Sequence, residues 1–153
     1  MKLLDVNLLI YAVDESSARF KEAHPWIEAL LGSQETVGLA WSVLLAFLRL
    51  TTKPQVMTAP FTSDEALDVI DGWLRRPNTV VIHPTDRHSA VLRELLGPLG
   101  TGGNIVADAH LAALAIEHGA ELCSCDADFA RFSGLRWCDP LRTTSRAPAR
   151  SRR

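Results

Sequence analysis

Apolar positions along the chain form short leucine-rich or β-branched runs that alternate with longer stretches of helical spacing. Lys2–Leu4 reads as a short buried strand that delivers Asp5 at its end, and Asn7–Val13 reads as the helix after it. Arg19–Leu31 places Phe20, Ala23, Trp26, Ile27, Leu30 and Leu31 at helical spacing. Pro25 predicts a kink or a later start, and Gly32-Ser33 a stop. Thr36–Leu39 is a strand weakened by Gly38. Trp41–Thr51 is an apolar helix, closed by Lys53-Pro54 because proline cannot continue it. Thr62-x-x-Glu65 is a capping box opening the helix Ser63–Arg75. Thr79–Ile82 predicts a buried strand from its β-branched residues. Asp86–Leu96 predicts a helix halted by Gly97-Pro98. The turn Gly102-Gly103-Asn104 leads into the helix Ile105–His118, then come the strand Glu121–Cys125 and a last short one at Leu135–Trp137. Strands alternating with helices predict an α/β fold, with a mostly parallel central sheet and helices on both faces.

The chain has 153 residues, 47% of them hydrophobic and 22% charged. This suits one domain with a sizeable core and excludes a disordered chain. No apolar stretch is long enough to span a bilayer. Asp5, followed by Asp14-Glu15 with no clear cleavage site, argues against a signal peptide, so a cytoplasmic protein is expected. Cys123, Cys125 and Cys138 are odd in number and lack zinc-ligand spacing, which predicts reduced thiols near a strand. The net charge is −2, but Arg142, Arg146, Arg150, Arg152 and Arg153 lie in a terminal stretch without acids, leaving −7 on residues 1–141. We therefore expect one domain over 1–141 and a disordered basic tail over 142–153. An acidic body is not a general nucleic-acid-binding surface. It suits a carboxylate cluster.

Ligands of open parallel α/β sheets bind beyond the carboxyl ends of the strands. Asp5 ends the first strand and Asp126 ends the strand Glu121–Cys125, so both fall on one edge. Asp108 lies in Asn104-Ile-Val-Ala-Asp-Ala-His-Leu-Ala-Ala, a helix apolar nearly all round and so expected to be buried. Buried carboxylates need a partner or a cation. Lys2, Arg49 and His110 are the nearby cationic candidates, with Arg49 best placed. A hard divalent ion such as Mg²⁺ or Mn²⁺ prefers such oxygens. Taken singly, each acid also has a structural reading: Asp5 as a helix cap, Asp126 as a turn residue, Asp108 as a first-turn acid.

Four ordered stretches carry a resemblance: Leu3-Leu4-Asp5-Val6-Asn7-Leu8-Leu9-Ile10-Tyr11-Ala12, Trp41–Thr52, Gly103–Ala113, and Cys125-Asp-Ala-Asp-Phe-Ala-Arg-Phe132 with Gly134-Leu-Arg-Trp. The chain resembles the PIN-domain ribonucleases, specifically the VapC-type toxins of bacterial type II toxin–antitoxin pairs, over residues 1 to about 141. The resemblance implies a three-layer PIN-like fold and divalent-metal-dependent hydrolysis of RNA, with Asp5, Asp108 and Asp126 as catalytic and metal-binding acids. Asp128 matches a frequent further acid, with helix capping its equal alternative. Asn7 matches the polar residue two after the first acid. Asn104 is expected to cap its helix or contact substrate, and Arg49 to support the site or the substrate. The resemblance also implies a cognate antitoxin that blocks the pocket and a homodimer, for which the Trp41–Thr51 helix is a candidate surface.

The departure is Ala46, which stands where many PIN domains carry a glutamate. No acid occurs between Glu35 and Asp64. Two rival readings follow. One is a catalytically silent PIN-like module that only binds an antitoxin or RNA. The other is a haloacid-dehalogenase-like phosphatase, suggested by Asp126-Ala-Asp128 after a strand, although that motif normally opens its fold rather than closing it.

Overall fold

The computed structural model describes residues 1–100 and 102–142. The tail proposed over 142–153 lies outside the described residues except for Arg142. Five strands, β1 (Lys2–Leu4), β2 (Val37–Ala40), β3 (Thr79–Ile82), β4 (Glu121–Cys123) and β5 (Trp137–Cys138), form one sheet in the order β3-β2-β1-β4-β5. All four pairings are parallel, with Leu3 opposite both Gly38 and Leu122. Six α-helices connect them: α1 (Val6–Val13), α2 (Phe20–Leu31), α3 (Trp41–Thr51), α4 (Ser63–Leu74), α5 (His88–Leu96) and α6 (Ile105–Glu117).

The strand order reverses at β1. Right-handed crossovers therefore carry the helices between β1 and β3 over one face and α5–α6 over the other. The helix contacts divide the same way: α1 packs on α2 and α3, α3 on α4, and α5 on α6. Every residue of β2 is buried, which explains its unbroken apolar run. Gly38 sits mid-strand, enclosed by Met1, Leu3 and Ile82.

Local chemistry sets most boundaries. Thr62 Oγ1 accepts from Glu65 N at 3.2 Å and Glu65 Oε2 accepts from Thr62 N at 2.7 Å, completing the capping box. Pro25 stands inside α2, and the helix still spans Phe20–Leu31. Several expectations shift. β2 is Val37–Ala40 rather than Thr36–Leu39, and β3, expected to be buried, is an edge strand that leaves Val80 41% exposed. α5 begins at His88, two residues later than read, after Thr85 Oγ1 and Glu117 tie the preceding turn. β4 stops at Cys123 rather than Cys125, and β5 is Trp137–Cys138 rather than Leu135–Trp137, because β4 and β5 pair only from Leu122↔Trp137 to Cys123↔Cys138. No described helix is long and apolar enough to cross a membrane.

A carboxylate site at the strand-order reversal

The reversal point opens a crevice beyond the carboxyl ends of β1 and β4. Asp5 follows β1 and is 9% exposed. It is also the N-cap of α1: Oδ1 accepts from Val6 N at 2.7 Å. Oδ2 accepts from Ser124 Oγ at 2.6 Å and from Asn7 Nδ2 at 3.0 Å. The cap and the site are thus one residue, so the two readings of Asp5 are not alternatives. Asn7 Nδ2 also donates to Ser124 Oγ at 3.0 Å, while Asn7 Oδ1 accepts from Cys125 N at 3.3 Å. Asn7 therefore clamps the start of α1 to the end of β4.

Ser124 was missed by sequence reasoning. It is fully buried, and its hydroxyl accepts from Asp126 N at 3.0 Å while donating to Asp5. The signal that could have found it was position alone: it is the first residue past β4, facing the residue just past β1. Asp126 is the third residue beyond β4, and it is exposed. Its Oδ1 accepts from Asp128 N at 2.8 Å, so Asp126, not Asp128, caps the short 3-10 helix Ala127–Arg131.

Asp108 is half-buried in the first turn of α6, not fully buried as expected, because that turn is still open to solvent at Val106 and Ala107. Apart from Ile105, the buried residues of α6 lie in its later part, Ala109 and Leu111–Ala115. Asn104 is exposed, with helical backbone and no side-chain capping bond, so the capping reading of Asn104 is corrected. Asp128 is exposed and paired with Arg131 Nη2 at 2.6 Å. Arg131 is the second residue that sequence reasoning missed; its i, i+3 spacing from Asp128 was the available sign.

The carboxylates sense one another. Burial pushes the Asp5 carboxyl above its ordinary range; the Ser124 and Val6 hydrogen bonds oppose this and the Asp126 charge adds to it. Burial also raises Asp108, followed by the charges of Asp126 and Asp5, with Arg131 opposing and Asp128 adding. Asp5 and Asp108 share a cavity of about 210 Å³, with Ser42, Ala46 and Arg49 of α3 on its other side. A larger cavity of about 310 Å³ beside Val13, Met57 and Phe61 holds none of these converging acids.

A hard divalent cation fits this donor set. The acids are all oxygen ligands, they repel one another, and no cation pairs with Asp5, Asp108 or Asp126 among the described residues. The three carboxylates do not all lie within 4.8 Å of one another, so they are not closed to the spacing of a single ion's ligands. Glu121, Cys123 and Cys138 do meet that limit, but they fit an ion poorly. Glu121 begins β4, at the opposite end of the strand from Asp126, and already pairs with Lys2. Burial raises both thiols, keeping them protonated. They are reduced, with Cys123 Sγ 3.6 Å from Cys138 Sγ, as expected of thiols near a strand.

The PIN domain family matches residues 2–135. Ribonuclease VapC37 of Mycobacterium tuberculosis is 44% identical over 92% of this chain and 97% of that protein. The chain is a PIN domain of the VapC family. Ribonuclease VapC33 of the same organism is 38% identical over 93% of this chain and 99% of its own length. The fold is likewise that of solved VapBC structures. VapBC2 from Rickettsia felis has a TM-score of 0.66 at 20% identity, covering 90% of this chain and 96% of that one. VapBC-1 from nontypeable Haemophilus influenzae has a TM-score of 0.66 at 17% identity, covering 92% and 98%. This family membership removes the phosphatase reading: Asp126-Ala-Asp128 follows the fourth strand of a PIN sheet, not the opening strand of a dehalogenase fold.

Proposed function

We propose that this PIN domain is the toxin of a toxin–antitoxin pair and a divalent-metal-dependent ribonuclease that hydrolyses RNA phosphodiester bonds. The observation that carries the reading is the convergence of Asp5, Asp108 and Asp126 at the strand-order reversal, where burial raises the carboxyls of Asp5 and Asp108 and the neighbouring acids add to it. Relatives named ribonucleases, 44% and 38% identical along nearly the whole chain, support the reaction class.

Asp5, Asp108 and Asp126 would hold Mg²⁺ or Mn²⁺. When bound, such an ion supplies a Lewis acid and lowers the pKa of a coordinated water. The chain's own residues do the positioning. Ser124 and Asn7 fix Asp5 Oδ2, and the α1 amide fixes Oδ1, so the carboxylate is held before any ligand arrives. Asp126 is set by its own hydrogen bond to the 3-10 helix and through Ser124. Asp128, already paired with Arg131, serves as an outer acid. His110 does not join in the chemistry: its Nδ1 lies 2.9 Å from His88 Nε2, and His88 pairs with Glu117 at 2.5 Å.

The antitoxin partner follows from the toxin resemblance. An acidic pocket favours a partner's arginine, whose fork pairs with carboxylates. A homodimer through α3 is supported by Trp41 and Leu45, 44% and 57% exposed and one helical turn apart.

The deciding experiment is RNA cleavage by the purified chain across a Mg²⁺ or Mn²⁺ titration, beside Asp5→Asn. Metal-dependent cleavage that Asp5→Asn reduces by about 10²- to 10³-fold is expected, the loss typical when electrostatic stabilisation of a transition state is removed. No metal-dependent cleavage by the wild-type chain leaves the silent binding module, marked by Ala46, as the surviving reading.

A further inference from the structure

We infer that Arg49 is the residue that receives the RNA phosphodiester at this site, facing the carboxylates across their shared cavity. The inference rests on the nuclease reading and extends it to how the substrate is held.

Ser42, Ala46 and Arg49 are spaced i, i+4 and i+7 on α3, which puts them on one stripe of the helix. That stripe lines the 210 Å³ cavity opposite Asp5, Asp108 and Leu111. Two of its positions carry small side chains, so the cavity is left open, and the third ends in a guanidinium. Arg49 is exposed and makes no ion pair or hydrogen bond through its side chain among the described residues. Arg131, the cation whose charge reaches Asp108, holds Asp128, and Lys2 lies away from the acids, holding Glu121 at the far end of β4.

A phosphodiester entering this cavity meets Asp5 and Asp108, and their charge repels it. A bound divalent ion offsets part of that repulsion. A guanidinium on the opposite wall offsets more, because its planar fork offers paired donors to two phosphate oxygens. A carboxylate from a protein partner is the other anion Arg49 could take. The phosphodiester is favoured because Arg49 shares its cavity with the acids that act on phosphorus, rather than standing on a separate surface.

The test measures binding apart from cleavage. A fluorescein-labelled single-stranded RNA is titrated by anisotropy at several salt concentrations, with Ca²⁺ as the hard divalent ion. Arg49→Ala is expected to raise the RNA Kd by about tenfold or more, as for loss of hydrogen bonds to a charged group. It should also lower the slope of log K against log salt by about 0.7, one phosphate contact on a single strand. Arg49→Lys should recover the slope and part of the affinity. Calorimetry should find Ca²⁺ binding by Arg49→Ala no weaker than by the wild type. An unchanged Kd and slope overturn the inference and leave the guanidinium to a protein partner. Loss of Ca²⁺ binding together with RNA binding also overturns it, since Arg49 would then be shaping the site rather than holding phosphate. Failure of the nuclease reading is seen separately, as absence of metal-dependent cleavage by the wild-type chain.

Discussion

Asp108 is the residue whose energetics most directly expose the site. Its side chain makes no hydrogen bond among the described residues, and burial plus its acidic neighbours raise its carboxyl above the ordinary 3.8. Asp5 is raised in the same direction. Without metal, the folded chain holds these protons more tightly than the unfolded chain. In the interval above 3.8, the folded state therefore binds more protons, and stability falls as pH rises through it. Asp108→Asn removes one of the repelling charges. Metal-free, it is expected to be more stable than the wild type at pH 7 by roughly 0.5 kcal/mol, the charge term being screened because Asp108 is only half-buried. The gain should vanish at pH values below 3.8, where the wild-type carboxyls are protonated. Urea melts of both proteins in chelator across pH check this; a variant equally or less stable at pH 7 contradicts the repulsion. Such a gain on deleting an active-site charge is the usual trade between stability and function.

At the scale of elements, α3 decides how many charges the site can manage. Its buried positions Val43, Leu44 and Phe47 hold it in the core, with Phe47 edge-on to Trp73 at 4.8 Å. That packing fixes its rotation and brings Ala46 to the cavity wall. Ala46→Glu would add a carboxylate opposite Asp5 and Asp108, in space already open. Site charge tunes the affinity for hard cations. The variant is expected to bind Mn²⁺ roughly tenfold more tightly by calorimetry, and to be less stable than wild type when metal-free. Unchanged Mn²⁺ affinity would mean that position 46 is too far from the ion to ligate it. The sequence pattern located α3 correctly, from Trp41 to Thr51. It placed α6 well too, yet overestimated the burial of its first turn, because periodicity averages over a helix and does not report where its end meets solvent.

For the whole molecule, the reversal of strand order at β1 brings together acids more than 100 positions apart. Asp5 and Ser124 are 119 residues apart and share a 2.6 Å hydrogen bond. The exposed stripe at Trp41 and Leu45 belongs to this scale as well, as the face of the proposed homodimer. Leu45→Glu is expected to convert the proposed dimer to a monomer in light scattering without loss of secondary structure. A wild-type chain that is already monomeric, or a variant that stays dimeric, removes α3 from the interface. Leu45 stands one helical turn before Arg49, so Leu45→Glu sets a carboxylate beside the guanidinium, and RNA binding is read on Arg49→Ala rather than on this variant.

The sequence by itself determined the element order, the parallel α/β class and the edge on which Asp5 and Asp126 would meet. Those depend on local periodicity, capping chemistry and the rule that ligands sit beyond strand carboxyl ends, and all three are written in short windows. It also carried the family, through four ordered stretches. Only the tertiary structure decided the rest: that β4 ends at Cys123 and that Ser124 ties Asp5 to Asp126. Strand length is set by pairing with β5, and a serine hydroxyl acquires its partners only when β1 and β4 lie side by side. Contacts between residues so distant along the chain have no local signature, so they exist only once the sheet has formed.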